Sequence, residues 1–169
     1  VMKNQALELM ESGADGIVFG FLDRNRKVDY LRVQEFVHLI HSYNKKAIFH
    51  RAFDVCVDPL EAMAVLVELG VDALLTSGKK QTALEGKELI KYLVDQYGKQ
   101  IEIVAGSGIT HENVKELVCF TQVNSVHSSC KKYVKDLTSR YQGVSFETDH
   151  QGQQAVSGQK VKMLIEEVV

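Results

Sequence analysis

The fold is decided by the stretch Ala47-Ile48-Phe49-His50-Arg51-Ala52-Phe53-Asp54, an apolar run that ends in an imidazole, a guanidinium and a carboxylate. Its first three residues form a short apolar run between a polar turn and the start of a helix. Such a run is typical of a strand buried in a parallel sheet. In α/β folds, ligands bind beyond the carboxyl ends of such strands. If the sheet is parallel, His50, Arg51 and Asp54 therefore lie at its functional edge.

Strands and helices alternate on both sides of this stretch. The order helix, glycine, aspartate and strand occurs around residues 13–18 and again around residues 70–75. Five predicted strands, each followed by a helix, begin near Gly16, Ala47, Ala73, Ile101 and Val123. Consecutive βα units predict a parallel sheet, built either as an open doubly wound sheet or as a closed (β/α)8 barrel. The chain length favours the open sheet, but no GxGxxG or P-loop follows a strand, so the pattern leaves both architectures open.

Helix starts carry clear local signals. Asp29 is placed to cap a helix that runs to about residue 42, and Asp58-Pro59-Leu60-Glu61 supplies an N-cap, a proline at the first helical position and a carboxylate at the third. Thr82-Ala83-Leu84-Glu85 has the spacing of a capping box, and Thr110 is a candidate N-cap for the helix after it.

The composition describes an ordinary globular chain of one domain over residues 1–169, with an irregular loop at 135–158 and a C-terminal helix at 159–169. A net charge of −2 and short basic runs exclude the electrostatic footprint of a nucleic-acid or anionic-membrane binder. Three widely spaced cysteines predict neither a disulfide framework nor a CxxC metal site, which fits a reducing cytoplasm. No apolar run reaches the roughly 20 residues of a membrane span.

Four predicted strands end in polar or glycine-rich groups, and this coincidence predicts one shared site. The expected ligand-binding residues are Thr76, Ser77, Gly106, Ser107, Gly108 and Ser129. The loop of residues 106–108 lets backbone N–H groups approach an anion before a helix, and barrels commonly hold phosphate in the loops after their last two strands. The alternative is that these glycines only turn the chain.

The candidate catalytic residues are His50, Arg51, Asp54 and His127. A histidine titrates near neutrality and can move a proton, whereas Arg51 can clamp a carboxylate or phosphate with two hydrogen bonds. Adjacent strand residues face opposite ways, so only one of His50 and Arg51 points into a crevice. The alternatives are a structural ion pair between Arg51 and Asp54 and a buried, hydrogen-bonded His127.

The cysteines offer a weaker site. Cys56 and Cys130 each follow the end of a strand, and with a histidine they could form a soft site for Cu(I) or zinc. Their spacing is not a metal signature, so we assign no metal ligand and interpret both as free thiols. Cys119, beside two apolar residues, is expected to pack inside.

Several segments of the sequence together resemble the CutC family, which is named for copper homeostasis. They are Gly13-Ala14-Asp15-Gly16-Ile17-Val18-Phe19-Gly20, Phe49-His50-Arg51-Ala52-Phe53-Asp54, Asp58-Pro59-Leu60-Glu61-Ala62, Leu75-Thr76-Ser77-Gly78, Thr82-Ala83-Leu84-Glu85-Gly86 and Ala105-Gly106-Ser107-Gly108. The resemblance runs from about Met2 to Lys132. The sequence departs from the family pattern at residues 127–131. Lys131 stands where the family usually has an arginine, so an ammonium point charge replaces a planar guanidinium that can donate two hydrogen bonds.

The resemblance implies a TIM-type (β/α)8 barrel in which this chain carries roughly the last five βα units. It also implies a cytoplasmic homodimer that handles Cu(I), with the proposed cysteine ligands on strands that precede Val1. The first hypothesis is thus a copper homeostasis protein whose partner is a copper ion. The alternative is a barrel enzyme whose partner is a phosphorylated or otherwise anionic small molecule. A third interpretation is an inactive barrel remnant that serves as a scaffold.

Overall fold

The structure, a computed structural model, describes residues 1–134, 140–141, 144–145 and 153–168. Its helices are α1 (Met2–Glu11), α2 (Tyr30–Ser42), α3 (Pro59–Glu68), α4 (Lys87–Tyr97), α5 (Val114–Thr121) and α6 (Gly158–Val168), with a 3₁₀ helix at Arg51–Val55. The strands are β1 (Gly16–Phe19), β2 (Lys46–Phe49), β3 (Ala73–Thr76), β4 (Glu102–Gly106), β5 (Ser125–His127), β6 (Lys131–Val134), β7 (Arg140–Tyr141), β8 (Val144–Ser145) and β9 (Gln153–Val156).

The main sheet has five parallel strands in the order β1-β2-β3-β4-β5. A doubly wound sheet reverses its strand order at a switch point, whereas here every crossover moves one strand further in the same direction. Successive helices consequently cover one face, as in a TIM-type barrel. The predicted α/β barrel architecture with about five βα units is confirmed, and the open doubly wound alternative is wrong.

The two faces of the sheet differ in burial. Phe19, Phe49 and Leu74 point toward the helices, are buried, and form the core with the apolar faces of α2, α3 and α4. Val18 and Ile48 point to the other side and are less buried. This second side is the concave face of the barrel segment, and it leads to the carboxyl ends of the strands.

Two helix-start signals behave as the sequence predicts. The Asp29 carboxylate accepts the Arg32 N–H at 3.3 Å. The Asp58 carboxylate accepts the N–H groups of Leu60 and Glu61 at 2.8 and 3.1 Å, with the proline at the start of α3. Each cap satisfies backbone donors that the first helical turn leaves free.

Two later helices begin further along than the sequence predicts. Thr82 and Glu85 form both bonds of a capping box, yet they close a separate turn, and α4 begins only at Lys87. Thr110 is not the N-cap of α5, because the chain makes a turn after Thr110 and α5 begins only at Val114, directly after Asn113.

The segment expected to be an irregular loop at 135–158 contains short strands where the structure describes it. β6 and β9 pair antiparallel, as do β7 and β8, and α6 then starts at Gly158. The remaining residues of that loop lie outside the described ranges. Among the described residues, none of the helices has the length and apolar character that crossing a bilayer requires.

Candidate functional site

A cavity of about 840 Å³ lies beyond the carboxyl ends of β4 and β5. Leu75, Gly106 and His127 line it from the sheet, and the loops after β4 and β5 form its sides. Residues of β6 and α6 complete its wall. Part of the shared site expected at this edge is thus present, because the following predicted residues line the cavity: Arg51, Gly106, Ser107, Gly108, His127 and Ser129.

The glycine-rich loop that lines this cavity contains backbone donors that are free of described partners. Ser107 and Gly108 have φ values of +87° and +69°, which turn the chain sharply after β4. Within the described part of the chain, the N–H groups of Ser107, Gly108 and Ile109 have no hydrogen-bond acceptor. Consecutive free N–H groups in such a turn form a concavity that binds anions.

Gly106 lies close to the neighbouring strand at the start of that loop. A Cβ at this position would lie 2.6 Å from Leu75 Cδ1, because the neighbouring strand presses its leucine against the glycine. The Ser107 hydroxyl donates to the Gln81 carbonyl at 2.8 Å and holds the loop against the turn before α4. The Ser107 hydrogen bond therefore holds one side of the loop in place.

The charged side chains around the cavity are mainly cationic. Among the described residues, Arg51, Lys131, Lys132 and Lys160 line it, together with one carboxylate, that of Glu112. Lys160 Nζ donates to the Lys131 carbonyl at 2.9 Å, which ties α6 to β6. The net positive charge in a partly enclosed space favours an anionic ligand.

Arg51 and Asp54 form the ion pair that the sequence analysis kept as an alternative. Arg51 Nε donates to Asp54 Oδ2 at 2.8 Å, and one terminal nitrogen donates to the Ser77 hydroxyl at 2.9 Å. These two bonds orient the guanidinium and leave N–H groups for a ligand, since a guanidinium has five. Arg51 lines the cavity, while the Asp54 side chain is only 7% exposed.

Asp54 binds the end of β3. Its carboxylate accepts the Thr76 hydroxyl at 2.5 Å and the backbone N–H groups of Ser77 and Lys79. Burial raises the pKa of Asp54, but the hydrogen bonds from these groups and from Arg51 outweigh it, and the net pKa is lowered. Thr76 and Ser77, predicted to bind ligand, do not line the cavity and hold Asp54 in place.

The two candidate histidines are placed differently. His50 Nδ1 accepts the Ala52 N–H at 3.0 Å, which puts the proton of the neutral ring on Nε2. The His50 ring fills the space over Gly20, since a Cβ added to Gly20 would lie 2.5 Å from the ring. His50 does not line the cavity. His127 is exposed and lines the cavity, so the alternative of a buried structural histidine is wrong for this residue.

The cysteines do not converge on a metal site. Cys56 is buried, and burial raises the pKa of its thiol while the Lys79 ammonium, 3.9 Å from the sulfur, opposes that shift. Cys119 is exposed, which contradicts the expected packing, because it lies on the outer side of α5. In the described ranges, no group of three or more His, Cys, Asp or Glu residues is arranged to hold a metal ion.

The family model that matches this chain is that of the CutC family, over residues 1–132. The chain belongs to the CutC family. The family protein CutC of Treponema denticola is 39% identical over 131 residues, and that of Vibrio vulnificus is 37% identical. Each match covers 78% of this chain and 52% of the relative. The chain spans about half the length of the curated relatives it matches.

Solved structures agree with the CutC fold. A CutC protein from Streptococcus agalactiae, provisionally described as a copper homeostasis protein, superposes with a TM-score of 0.69 at 29% identity. The match covers 75% of this chain and 61% of that one. A native KDPGal structure has a TM-score of 0.60 at 16% identity over 99% of this chain and 65% of its own, and this likeness shows the fold alone.

Sequence reasoning missed several residues of the cavity in this CutC chain. Lys131, Lys132 and Tyr133 were not predicted because β6 follows the parallel strands and has no helix directly after it. Lys160 lies in α6 and His111 lies before α5, and neither directly follows the end of a predicted strand. The one available signal was the departure at Lys131, where a lysine replaces the expected arginine.

Proposed function

We propose that the cavity of this CutC chain binds a phosphorylated or otherwise anionic small molecule. One observation carries the proposal: the residues that line the cavity include three whose backbone N–H groups lack an acceptor within the described part of the chain and four cationic residues. In the proposed arrangement, the anion rests on the loop of residues 107–109. Arg51 orients the rest of the ligand, and Ser129 adds a hydroxyl.

The same arrangement supports an enzyme rather than a passive binding site. His127 lies on the sheet beside Gly106 and is exposed to the cavity, so it can give a proton to, or take one from, a ligand bound at the glycine loop. Asp54 does not line the cavity and acts by holding Arg51. His50 does not line the cavity either, which favours His127 for proton transfer.

A double substitution tests the anion site. Lys131→Gln with Lys132→Gln is expected to weaken binding of inorganic phosphate about ten-fold or more, since a hydrogen bond to a charged group contributes roughly 1.5–3 kcal/mol. Titration calorimetry at low salt measures the effect. Lys45→Gln with Lys99→Gln changes the net charge equally at the opposite end of the strands and is expected to leave the affinity unchanged. An equal loss in both pairs would contradict the proposal.

The family supports a second proposal, which concerns copper. We propose that the whole protein acts in copper homeostasis as a cytoplasmic homodimer and takes up Cu(I). The support is family membership, the copper homeostasis description of the Streptococcus agalactiae relative and the thiol chemistry that Cu(I) prefers. The described residues supply no three-ligand cluster, so we assign Cu(I) to no residue of this chain.

An anaerobic competition titration against a colorimetric Cu(I) chelator tests the copper proposal. The 169-residue chain and the full-length Treponema denticola relative are titrated in parallel. We expect the relative to withdraw Cu(I) and the shorter chain to withdraw less, because the chain spans about half of the relative. If neither protein competes with the chelator, the copper proposal is contradicted, whatever the outcome of the phosphate titration.

A further inference from the structure

Tyr133 is an aromatic side chain in the cavity that the anion site does not explain. It is 37% exposed, whereas the phenylalanines of the core, such as Phe19 and Phe49, are almost fully buried. It belongs to neither the core cluster nor the residues packed against it. An aromatic ring kept at the wall of a partly enclosed cavity is available to a ligand.

The surroundings of the ring indicate what kind of group it contacts. Lys131 and Tyr133 are two residues apart on β6 and therefore point to the same side of that strand. Lys131 Nζ lies 5.7 Å from the ring centroid, over the ring. Positive charge and an aromatic face thus occur side by side, which is the combination that binds nucleotides through phosphate neutralisation and ring stacking.

The size and lining of the cavity indicate the same ligand class. A volume of about 840 Å³ is far more than a phosphate group occupies and falls in the range of sites for cofactor-sized ligands. Leu75 and Ile109 add apolar wall between the cationic residues. A ligand with a flat ring on a phosphate-bearing stem would use all of these surfaces.

We infer that the ligand of this cavity is a nucleotide-like phosphomonoester. Its phosphate lies at the loop of residues 107–109, and its flat heterocyclic ring lies against Tyr133. The inference rests on the proposed anion site and adds the ring as the second recognised group. It makes Tyr133 a specificity-determining residue, which selects among phosphate esters by the group that the phosphate carries.

Four probes test this inference by calorimetry on the full chain: inorganic phosphate, ribose 5-phosphate, adenosine and adenosine 5′-monophosphate. We expect the nucleotide to bind about ten-fold or more tightly than ribose 5-phosphate, because a base stacked on an aromatic side chain adds affinity of this order. Tyr133→Leu is expected to abolish that difference, and Tyr133→Phe is expected to keep it. Tyr92→Leu, an exposed tyrosine on α4, is the matched control and leaves all four affinities unchanged.

The outcomes separate the inference from the proposed function. If all phosphate compounds bind equally, or if Tyr133→Leu leaves the preference intact, the ring subsite is overturned while the anion site stands. If none of the phosphate compounds binds, the anion site itself fails. If adenosine binds as tightly as the nucleotide, the phosphate contributes nothing, and the assignment of the glycine loop is overturned.

Discussion

Replacing Gly78 with alanine is expected to lower the free energy of unfolding by about 4 kcal/mol or more. Two effects add at this residue. Its φ of +67° is costly for any residue with a Cβ, by roughly 1–2 kcal/mol. A Cβ there would also lie 2.1 Å from the Gly86 carbonyl oxygen, and backbone cannot move aside as a flexible side chain can. Urea denaturation followed by circular dichroism measures the loss.

Gly13→Ala separates the two causes of that loss. Gly13 also has a positive φ, of +98°, but a Cβ there meets nothing within 4 Å. We expect this control to cost only the backbone strain, roughly 1–2 kcal/mol. If both variants lose the same stability, the contact between Gly78 and Gly86 is not what fixes the turn after β3.

Asp54→Asn is the second substitution with a large expected effect, about 3 kcal/mol of unfolding free energy. The carboxylate faces donors from Arg51, Thr76, Ser77 and Lys79. An asparagine amide replaces one acceptor with a donor and leaves the Arg51 guanidinium without its carboxylate partner. Chemical denaturation at neutral pH measures the effect. Asp95→Asn, in an exposed pair with Lys91, is the control and is expected to cost about 0.5 kcal/mol or less.

The same substitution changes the response to acid. The pKa of Asp54 in the folded protein is lower than its ordinary value of 3.8, so the folded state binds fewer protons than the unfolded chain in this range. The stabilisation is therefore complete above the ordinary pKa and is lost as the pH falls through the folded pKa. The stability difference between wild type and Asp54→Asn should shrink at low pH. A difference that stays constant from neutral pH to about pH 3 would contradict this account.

Much of the fold could be predicted from local signals. The strand at residues 47–49 was recognisable because buried parallel strands are short and uniformly apolar. The helix at Pro59 was recognisable because an aspartate, a proline and a glutamate occupy its starting positions. The architecture was not decided by periodicity, since open and closed sheets have the same alternation of strands and helices. The resemblance to the CutC family decided it.

The site was predicted in part, for a physical reason. Strand ends identify residues at one edge, but not which side chains turn toward a ligand and which bind each other. Thr76 and Ser77 have the chemistry of ligand-binding residues, yet both hold Asp54, because a buried carboxylate must find donors. Tyr133 and Lys160 reach the cavity through the pairing of β6 with β9 and the docking of α6, which no local signal encodes.

The placement of the cavity along the chain has a consequence for synthesis. Apart from Arg51 and Leu75, every described residue that lines it comes at or after Gly106, and the last of these is Lys160. During translation, β1 to β3 leave the ribosome before this later segment and can begin to pair while it is still being made. The described part of the cavity wall is complete only when α6 has emerged. The cavity therefore forms after the parallel sheet that supports it, as the chain is made.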